Sequence, residues 1–320
     1  MNEKITMNLN DEEISLKKAF EKFIRVKEIE NLSPETIEYY TLSYKFLAEI
    51  YDENNLCNGI NQDTVFEYID HIKKTRKVAQ ITVNTYVRGL RGTLYFFMDR
   101  AYITKKFKIK IPKCEKQIKE TYTSSEIEKL IEKPNPNKCT FAEFRNWAAI
   151  CYLLGTGNRL RTLINLKIGD IDTENMEIKL KTVKNKKAYI IPMSTTLKNI
   201  LIEYLKYRKG NEEDFLFCTD CGEQFKSEGF KMAIKRYNRS RGIEKTSIHL
   251  FRHTFAKNWI LNGGDIFRLQ KILGHSSLEM VKEYVSMFGV DIKENFDNFN
   301  VLEKHTKGIQ KAKISMKKQL

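Results

Sequence analysis

From residue 13 to about residue 110 apolar side chains recur every three to four positions, and that period commits a chain to packed helices. Leu16, Ala19, Phe20 and Phe23 line one face. Ile37, Tyr40, Tyr44, Leu47 and Tyr51 line the next, behind Ser33 and Pro34, a pair that suits a helix start. "QDTVFEYIDHIKK" supplies a shorter helix, and Val83, Tyr86, Val87, Leu90, Leu94 and Phe97 a longer one. The spacing predicts a bundle of four or five helices over residues 11–104.

The period then stops. "KKFKIKIPKCEKQIKE", residues 105–120, is lysine-rich, holds one proline and keeps no helical spacing, so it reads as an extended basic linker between two domains. Thr123, three residues ahead of Glu126, restarts a helix with a capping box. Residues 121–303 mix elements. "NWAAICYLLGTGNRLRTLINL" is an apolar helix, a glycine-containing break and a second helical segment. "MEIKL" and "AYIIPM" are short strands either side of "KTVKNKK", and helices follow at about 194–207, 226–240, 252–262 and 265–272. The fold class is therefore α+β and mainly helical. The tail, residues 304–320, has six lysines and no acid, and is read as flexible or packing in trans.

With 320 residues, 41% of them hydrophobic, the chain has material for two domains and a sizeable core. Its net charge of +15 favours a polyanionic partner, nucleic acid before others, over a merely soluble basic protein. No apolar run approaches the roughly 18 residues of a membrane span, and the polar start "MNEKITMNLNDEEISLKKAF" lacks a secretory core. A cytoplasmic, nucleoid-associated protein of a prokaryote is expected. Cys218 and Cys221 have C-x-x-C spacing in "FCTDCGEQF" without two further ligands at finger spacing. Reduced structural thiols and a weak metal site both stay open there.

Chemistry-bearing residues collect at the element boundaries of the second domain, where a rigid scaffold aims side chains at an open surface. Arg159 sits in the break "GTGNRLR", Lys184 in the turn between strands, His249 and Arg252 at a helix start, His275 after Gly274 in "LGH", and Tyr284 in "SLEMVKEYV". Singly, each has an ordinary reading. Arg159 suits a solvated helix end, His249 a cap, His275 a helix C-terminus and Tyr284 core packing, while Lys184 is one lysine of several. In "HLFRHTFA" an arginine between two histidines repels a cation, which argues against metal. As a set, two Arg, one Lys, two His and a Tyr suit metal-free attack on a phosphodiester. Arginine grips non-bridging oxygens with two donors, and a pair neutralises a pentacoordinate transition state. A tyrosine hydroxyl serves as covalent nucleophile, and a lysine protonates the leaving oxygen.

"TGNRLRTLINLKIGDID", "VKNKKAYIIP", "HLFRHTFAKNWI" and "LGHSSLEMVKEYV" occur in the order and spacing of the tyrosine recombinases, also called the phage integrase family, and the resemblance covers nearly the whole chain. It implies an N-terminal core-binding domain, a SAM-like helical bundle, and a C-terminal mixed α/β catalytic domain. By resemblance, Arg159 holds the scissile phosphate and Lys184 is the general acid toward the 5′ oxygen. His249 and Arg252 are a second phosphate grip, His275 bonds the phosphate or assists proton transfer, and Tyr284 forms a 3′-phosphotyrosyl link. His253 is read as a brace for the fold that does not touch the reacting atoms. Arg88, Arg91, Arg161, Lys186, Lys187, Arg236 and Arg239 are expected DNA contacts. The family pattern R-x-S-E-L departs here to Arg159-Leu160-Arg161-Thr162-Leu163, so an acidic neighbour is replaced by Thr162. Lys186 or Lys187 takes the lysine role if the hairpin shifts register.

The resemblance implies a site-specific recombinase that works through a Holliday junction with no cofactor and no metal. Its partners are a duplex recombination site and itself as a tetramer, with room for accessory DNA-bending or excision factors and no membrane. Val285, Phe288, Val290, Phe296 and Phe299 offer apolar groups for packing on a neighbour. The start of the chain close to its first helix leaves no arm-type domain ahead of it, which favours a simple recombinase. Integration and excision of a mobile element is the expected role. Xer-type dimer resolution, a type IB topoisomerase-like activity and a non-catalytic DNA-binding protein are the alternatives.

Overall fold

The computed structural model describes residues 13–114, 120–181, 188–275 and 277–288, and residue 302. The chain divides into two compact units, Met1–Gln117 and Ile118–Leu320.

Unit 1 holds α1 (Leu16–Ile29), α2 (Pro34–Ala48), α3 (Gln62–Arg76) and α4 (Gln80–Asp99). The expected stripes of α1 and α4 are buried: Leu16, Ala19, Phe20 and Phe23 meet Val83, Val87, Leu90, Leu94 and Phe97 in one core. The α2 stripe is only half submerged, because its tyrosines keep polar ends. Tyr44 stacks on Phe20 at 3.9 Å while its hydroxyl donates to Glu53.

The lysine-rich stretch departs from expectation. Residues 105–112 have no regular secondary structure, yet they do not run free as a linker. Ile103 and Ile109 are 1% and 3% exposed in the core of unit 1, and Phe107 and Ile111 pack against it. Asn84 donates to the Pro112 carbonyl at 2.8 Å, and the Ile109 amide donates to the Tyr95 hydroxyl. The alternation Phe107, Lys108, Ile109, Lys110, Ile111 explains this. A period of two sends alternate side chains inward without a helix.

In unit 2, α5 (Ser124–Ile131) opens on the capping box, with Thr123 and Glu126 each accepting from the other's backbone amide. The centre is α6 (Phe141–Thr156), buried from Phe144 to Leu153, and apolar nearly all round as an interior helix must be. Its one buried cation, Arg145, is held by Asn146, the Cys218 carbonyl and Asp220. Then come α7 (Leu160–Ile164) and an antiparallel sheet of β1 (Ile171–Asp172), β2 (Glu177–Lys181) and β3 (Ala188–Pro192) in that order. The first strand was not expected. It is two residues long, too short for alternation to reveal. Ile178 faces Ile191 across the β2–β3 ladder, and both are buried.

The helices α8 (Thr195–Arg208), α9 (Ser227–Ser240), α10 (His249–Leu261), α11 (Ile266–Leu273) and α12 (Glu279–Phe288) follow. Helix α10 starts at His249, the residue expected to open a helix and ahead of the approximate bound of 252, and α12 was not anticipated as a helix. Ala256 and Ile260 of α10, Leu269 and Leu273 of α11, and Val281 and Tyr284 of α12 form a small core of their own. No helix among the described residues is long and apolar enough to cross a membrane.

Candidate active site

Two left-handed glycines build the floor of the site. Gly157 (φ +64°) ends α6 and Gly274 (φ +60°) ends α11. A side chain at either position is strained by the backbone and crowded as well. A Cβ on Gly157 would stand 2.6 Å from Phe255, and one on Gly274 would stand 2.9 Å from the Tyr189 hydroxyl. The last carbonyls of a helix lack intrahelical donors. Here arginines supply them. Arg252 donates to the Gly157 and Leu273 carbonyls at 2.9 Å each. Arg159 reaches the Leu273 carbonyl at 3.3 Å and the Gly274 carbonyl at 3.5 Å. The negative ends of two helix dipoles thus hold two cations side by side.

The arginines differ in exposure. Arg252, one turn into α10, is 5% exposed. Burial and the neighbouring Arg159 cation push its guanidinium down to about 10, and the nearby Tyr284 and Tyr189 hydroxyls oppose that shift. It stays charged at neutral pH. Arg159, at the residue before α7, is exposed and open to a ligand.

Arg252 also meets His275 Nε2 at 2.5 Å. His253 Nδ1 lies 2.9 Å from the Tyr284 hydroxyl, and Tyr284 itself is 4% exposed. The His275 ring is parallel to that of Tyr284, with centroids 6.3 Å apart. His249, the first residue of α10, is exposed overall. Its ring is desolvated enough to hold its pKa below the ordinary histidine value, and the Arg252, Lys231 and Arg159 cations push the same way.

The structure therefore gathers Arg159, His249, Arg252, His275 and Tyr284. Lys184, Lys186 and Lys187 lie outside the described residues, as do Val290, Phe296, Phe299 and the tail from 304. Arg161 is exposed on α7, and Arg236 and Arg239 are exposed on α9. In unit 1 Arg88 is exposed and Arg91 half-buried on α4, both acting electrostatically on Tyr39. Thr162 is half-buried, and its amide donates to the Arg159 carbonyl. Cys218 is buried and Cys221 exposed, and burial pushes the Cys218 thiol up. Among the described residues no group of three or more His, Cys, Asp or Glu is placed to hold a metal ion.

The reading of His253 needs correction. It does not merely brace the fold. It hydrogen-bonds the phenol. Tyr189 was missed too. It lies half-buried on β3 against Gly274, and burial holds its phenol above the ordinary value, only partly offset by the Arg159 and Arg252 cations. Lys231 of α9 is a third residue missed, acting on His249. The stops in "GTGNR" and "LGH" carried a signal for the carbonyl floor, since glycine is what a left-handed helix end selects.

Chemically, the arrangement offers a cationic seat for one phosphate, with a phenol beside it in contact with an imidazole.

Comparison with known proteins agrees. Residues 120–288 match the model of the phage integrase family. The chain is 27% identical over 288 residues to tyrosine recombinase XerC of Leptospira interrogans, covering 88% of this chain and 92% of that one. It is 28% identical to tyrosine recombinase XerA of Pyrococcus furiosus, covering 89% and 95%. Among solved structures it resembles the Tn1549 transposon integrase in complex with transposon right end DNA, with a TM-score of 0.69 and 22% identity over 85% of this chain and 94% of that one. It also resembles the lambda integrase tetramer bound to a Holliday junction, with a TM-score of 0.68 and 16% identity over 88% and 80%. The two structural likenesses speak to the fold. With a phage integrase match across more than half of its length, the chain belongs to the phage integrase family, the tyrosine recombinases, enzymes that transfer DNA strands.

Proposed function

We propose that this chain cuts and rejoins duplex DNA at a specific site, with Tyr284 as nucleophile, and that it integrates and excises a mobile element. The observation that carries the chemical part is the meeting of Arg159, Arg252, His275 and Tyr284 in unit 2. Two guanidiniums fit the two non-bridging oxygens of one phosphate. Tyr284 attacks phosphorus, a 3′-phosphotyrosyl bond forms, and the 5′ oxygen leaves. Lys184 is proposed to protonate that oxygen, and His249 and His275 to bond the phosphate. Bond energy kept in the ester lets the reverse step rejoin a new strand without an added energy source.

Arg161, Lys186, Lys187, Arg236 and Arg239 are proposed contacts to the DNA backbone in unit 2, and Arg88 and Arg91 in unit 1. The net charge of +15 supports such a partner. The proposed assembly is a tetramer on two duplexes, which the likeness to the lambda integrase on a Holliday junction supports.

The likeness to the Tn1549 integrase supports the mobile-element role. A second reading is chromosome or plasmid dimer resolution, favoured by the Xer recombinases that match this chain over most of its length. The test is to trap covalent protein–DNA adducts from genomic fragments and sequence the linked strand. Linked sequences at the two ends of one element support the first reading. A single chromosomal or plasmid site supports the second. Adducts spread without sequence preference, together with relaxation of any supercoiled plasmid, would overturn both in favour of a topoisomerase-like activity.

A further inference from the structure

We infer that His253 is the base that takes the proton of the Tyr284 hydroxyl as that oxygen attacks phosphorus, and that it returns the proton when the strand is rejoined. The inference rests on the recombinase reading above and adds a residue to it.

A phenol in water gives up its proton only near pH ~10, so a phenol used as nucleophile at neutral pH needs an acceptor in contact with it. His253 is in contact, with Nδ1 at 2.9 Å from the hydroxyl oxygen. The direction of that hydrogen bond follows from the other neighbour. The Arg252 cation lies near enough to act electrostatically on Tyr284, and a guanidinium has no acceptor to offer a phenolic proton. With that cation repelling a proton on its own side, the phenolic proton is directed to His253, whose Nδ1 is then the acceptor with the ring proton on Nε2. This is the tautomer a base requires.

The setting favours the transfer. Tyr284 is buried in the small α10–α11–α12 core, so its proton has little access to bulk water. His253 is half-buried, so the imidazolium that forms is not wholly sealed from solvent. The groups that could compete are identifiable. His249 and Lys257 lie one turn to either side on α10, and the Lys257 ammonium donates to Thr121. From α12 come Tyr284 itself and the half-buried carboxylate of Glu283 beside it, while Glu279 and Lys282 are exposed and pair with each other. The turn after α11 presents His275, already bonded to Arg252, and the α11 cations Arg268 and Lys271 are exposed. Helix α6, also packed on α10, is uncharged from Trp147 to Leu154.

The step balances. The Tyr284 oxygen forms its bond to phosphorus while the bond from phosphorus to the 5′ oxygen breaks. The phenolic proton passes to His253 Nδ1, giving an imidazolium. The 5′ oxygen takes its proton from the general acid, proposed as Lys184. Rejoining runs the same transfers backwards.

The test uses the full chain and a nicked suicide duplex bearing the mapped cleavage sequence, made with a 5′-bridging sulfur so that the leaving group needs no proton. Adduct formation is followed against pH for wild type, His253→Ala, His253→Gln and Tyr284→Phe, with DNA affinity and thermal unfolding checked in parallel. His253→Ala and His253→Gln should each slow adduct formation by about 100-fold or more at neutral pH. Their rates should keep rising into the alkaline range where the wild type has levelled off. Added imidazole should restore part of the His253→Ala rate. Glutamine keeps a hydrogen bond but accepts no proton, so it separates the two roles and serves alone if the alanine variant does not fold. A glutamine variant as fast as wild type, or variants with an unchanged pH profile, would overturn the base assignment while leaving the recombinase reading intact. No adduct from the wild type, or an adduct that survives Tyr284→Phe, would instead overturn the recombinase reading and this inference with it.

Discussion

Arg252 donates to Nε2 of His275, since a guanidinium has no acceptor, and so turns that nitrogen's lone pair toward itself. The same guanidinium reaches the Gly157 and Leu273 carbonyls, so one fork ties the ends of α6 and α11 to the site. A lysine ammonium at this place cannot span all three partners. Arg252→Lys should therefore lower the rate of covalent adduct formation by about 100-fold or more. It should also cost about 1–3 kcal/mol of unfolding free energy, the range for leaving a buried polar group unsatisfied. Single-turnover cleavage and denaturant unfolding check the two parts. A variant that unfolds earlier but cleaves at the wild-type rate would remove Arg252 from the chemistry.

Tyr284→Phe removes the oxygen proposed as nucleophile and keeps the ring in its small core. It should abolish the adduct on nicked suicide DNA and leave DNA affinity within a few-fold of wild type. Denaturing gels and mobility shifts read both. The expected change in stability is small, on the order of 1 kcal/mol for one lost hydrogen bond.

Gly274 and Tyr189 are coupled by space. Gly274→Ala places a Cβ in a left-handed backbone, at a cost of about 1–2 kcal/mol, and 2.9 Å from the Tyr189 hydroxyl. Tyr189→Phe removes that oxygen. In the double variant the alanine should therefore cost less than it does alone, a coupling that denaturant unfolding of the four proteins in a double-mutant cycle measures. Additive losses would mean that the turn moves away from Tyr189 without strain.

The pH behaviour of His249 has a definite sign. Its folded pKa lies below the ordinary histidine value through desolvation and the Arg252, Lys231 and Arg159 cations. The unfolded chain takes up this proton more readily than the folded one, so the group subtracts stability as the pH falls below about 6.5 and subtracts none above it. Imidazole NMR titration should place the His249 midpoint lower than that of a free histidine. Adding cleavage-site duplex should move it upward, since a phosphate in the cationic seat offsets the surrounding charge. A midpoint that stays put with DNA bound would mean that no phosphate sits beside His249.

The α1 and α4 stripes, the capping box at Thr123 and the β2–β3 pair were all legible, since each depends on neighbours within a few residues. That Arg159, His249, Arg252, His275 and Tyr284 lie near one another was legible from the motifs, while Lys184 falls outside the described residues. How they meet was not. That Leu273 offers its carbonyl to two arginines depends on α11 ending beside α6, a relationship 114 residues apart in sequence for Arg159. His253 was misjudged for the same reason. Its position after Arg252 shows that it leaves the phosphate-facing side of α10, but only the packing of α12 reveals that Tyr284 waits there. The lysines of 105–112 misled because charge was read ahead of the alternation of Phe107, Ile109 and Ile111.

Arg159, His249, Arg252, His253, His275 and Tyr284 all belong to one folded unit of one polypeptide. The proposed nucleophile thus lies beside arginines of its own chain. This has a genetic consequence. On the proposed chemistry, a chain lacking Tyr284 should not be repaired by one lacking Arg252, because mixing the two leaves neither chain with a complete set of its own. In a cell carrying both alleles, the defects should fail to complement.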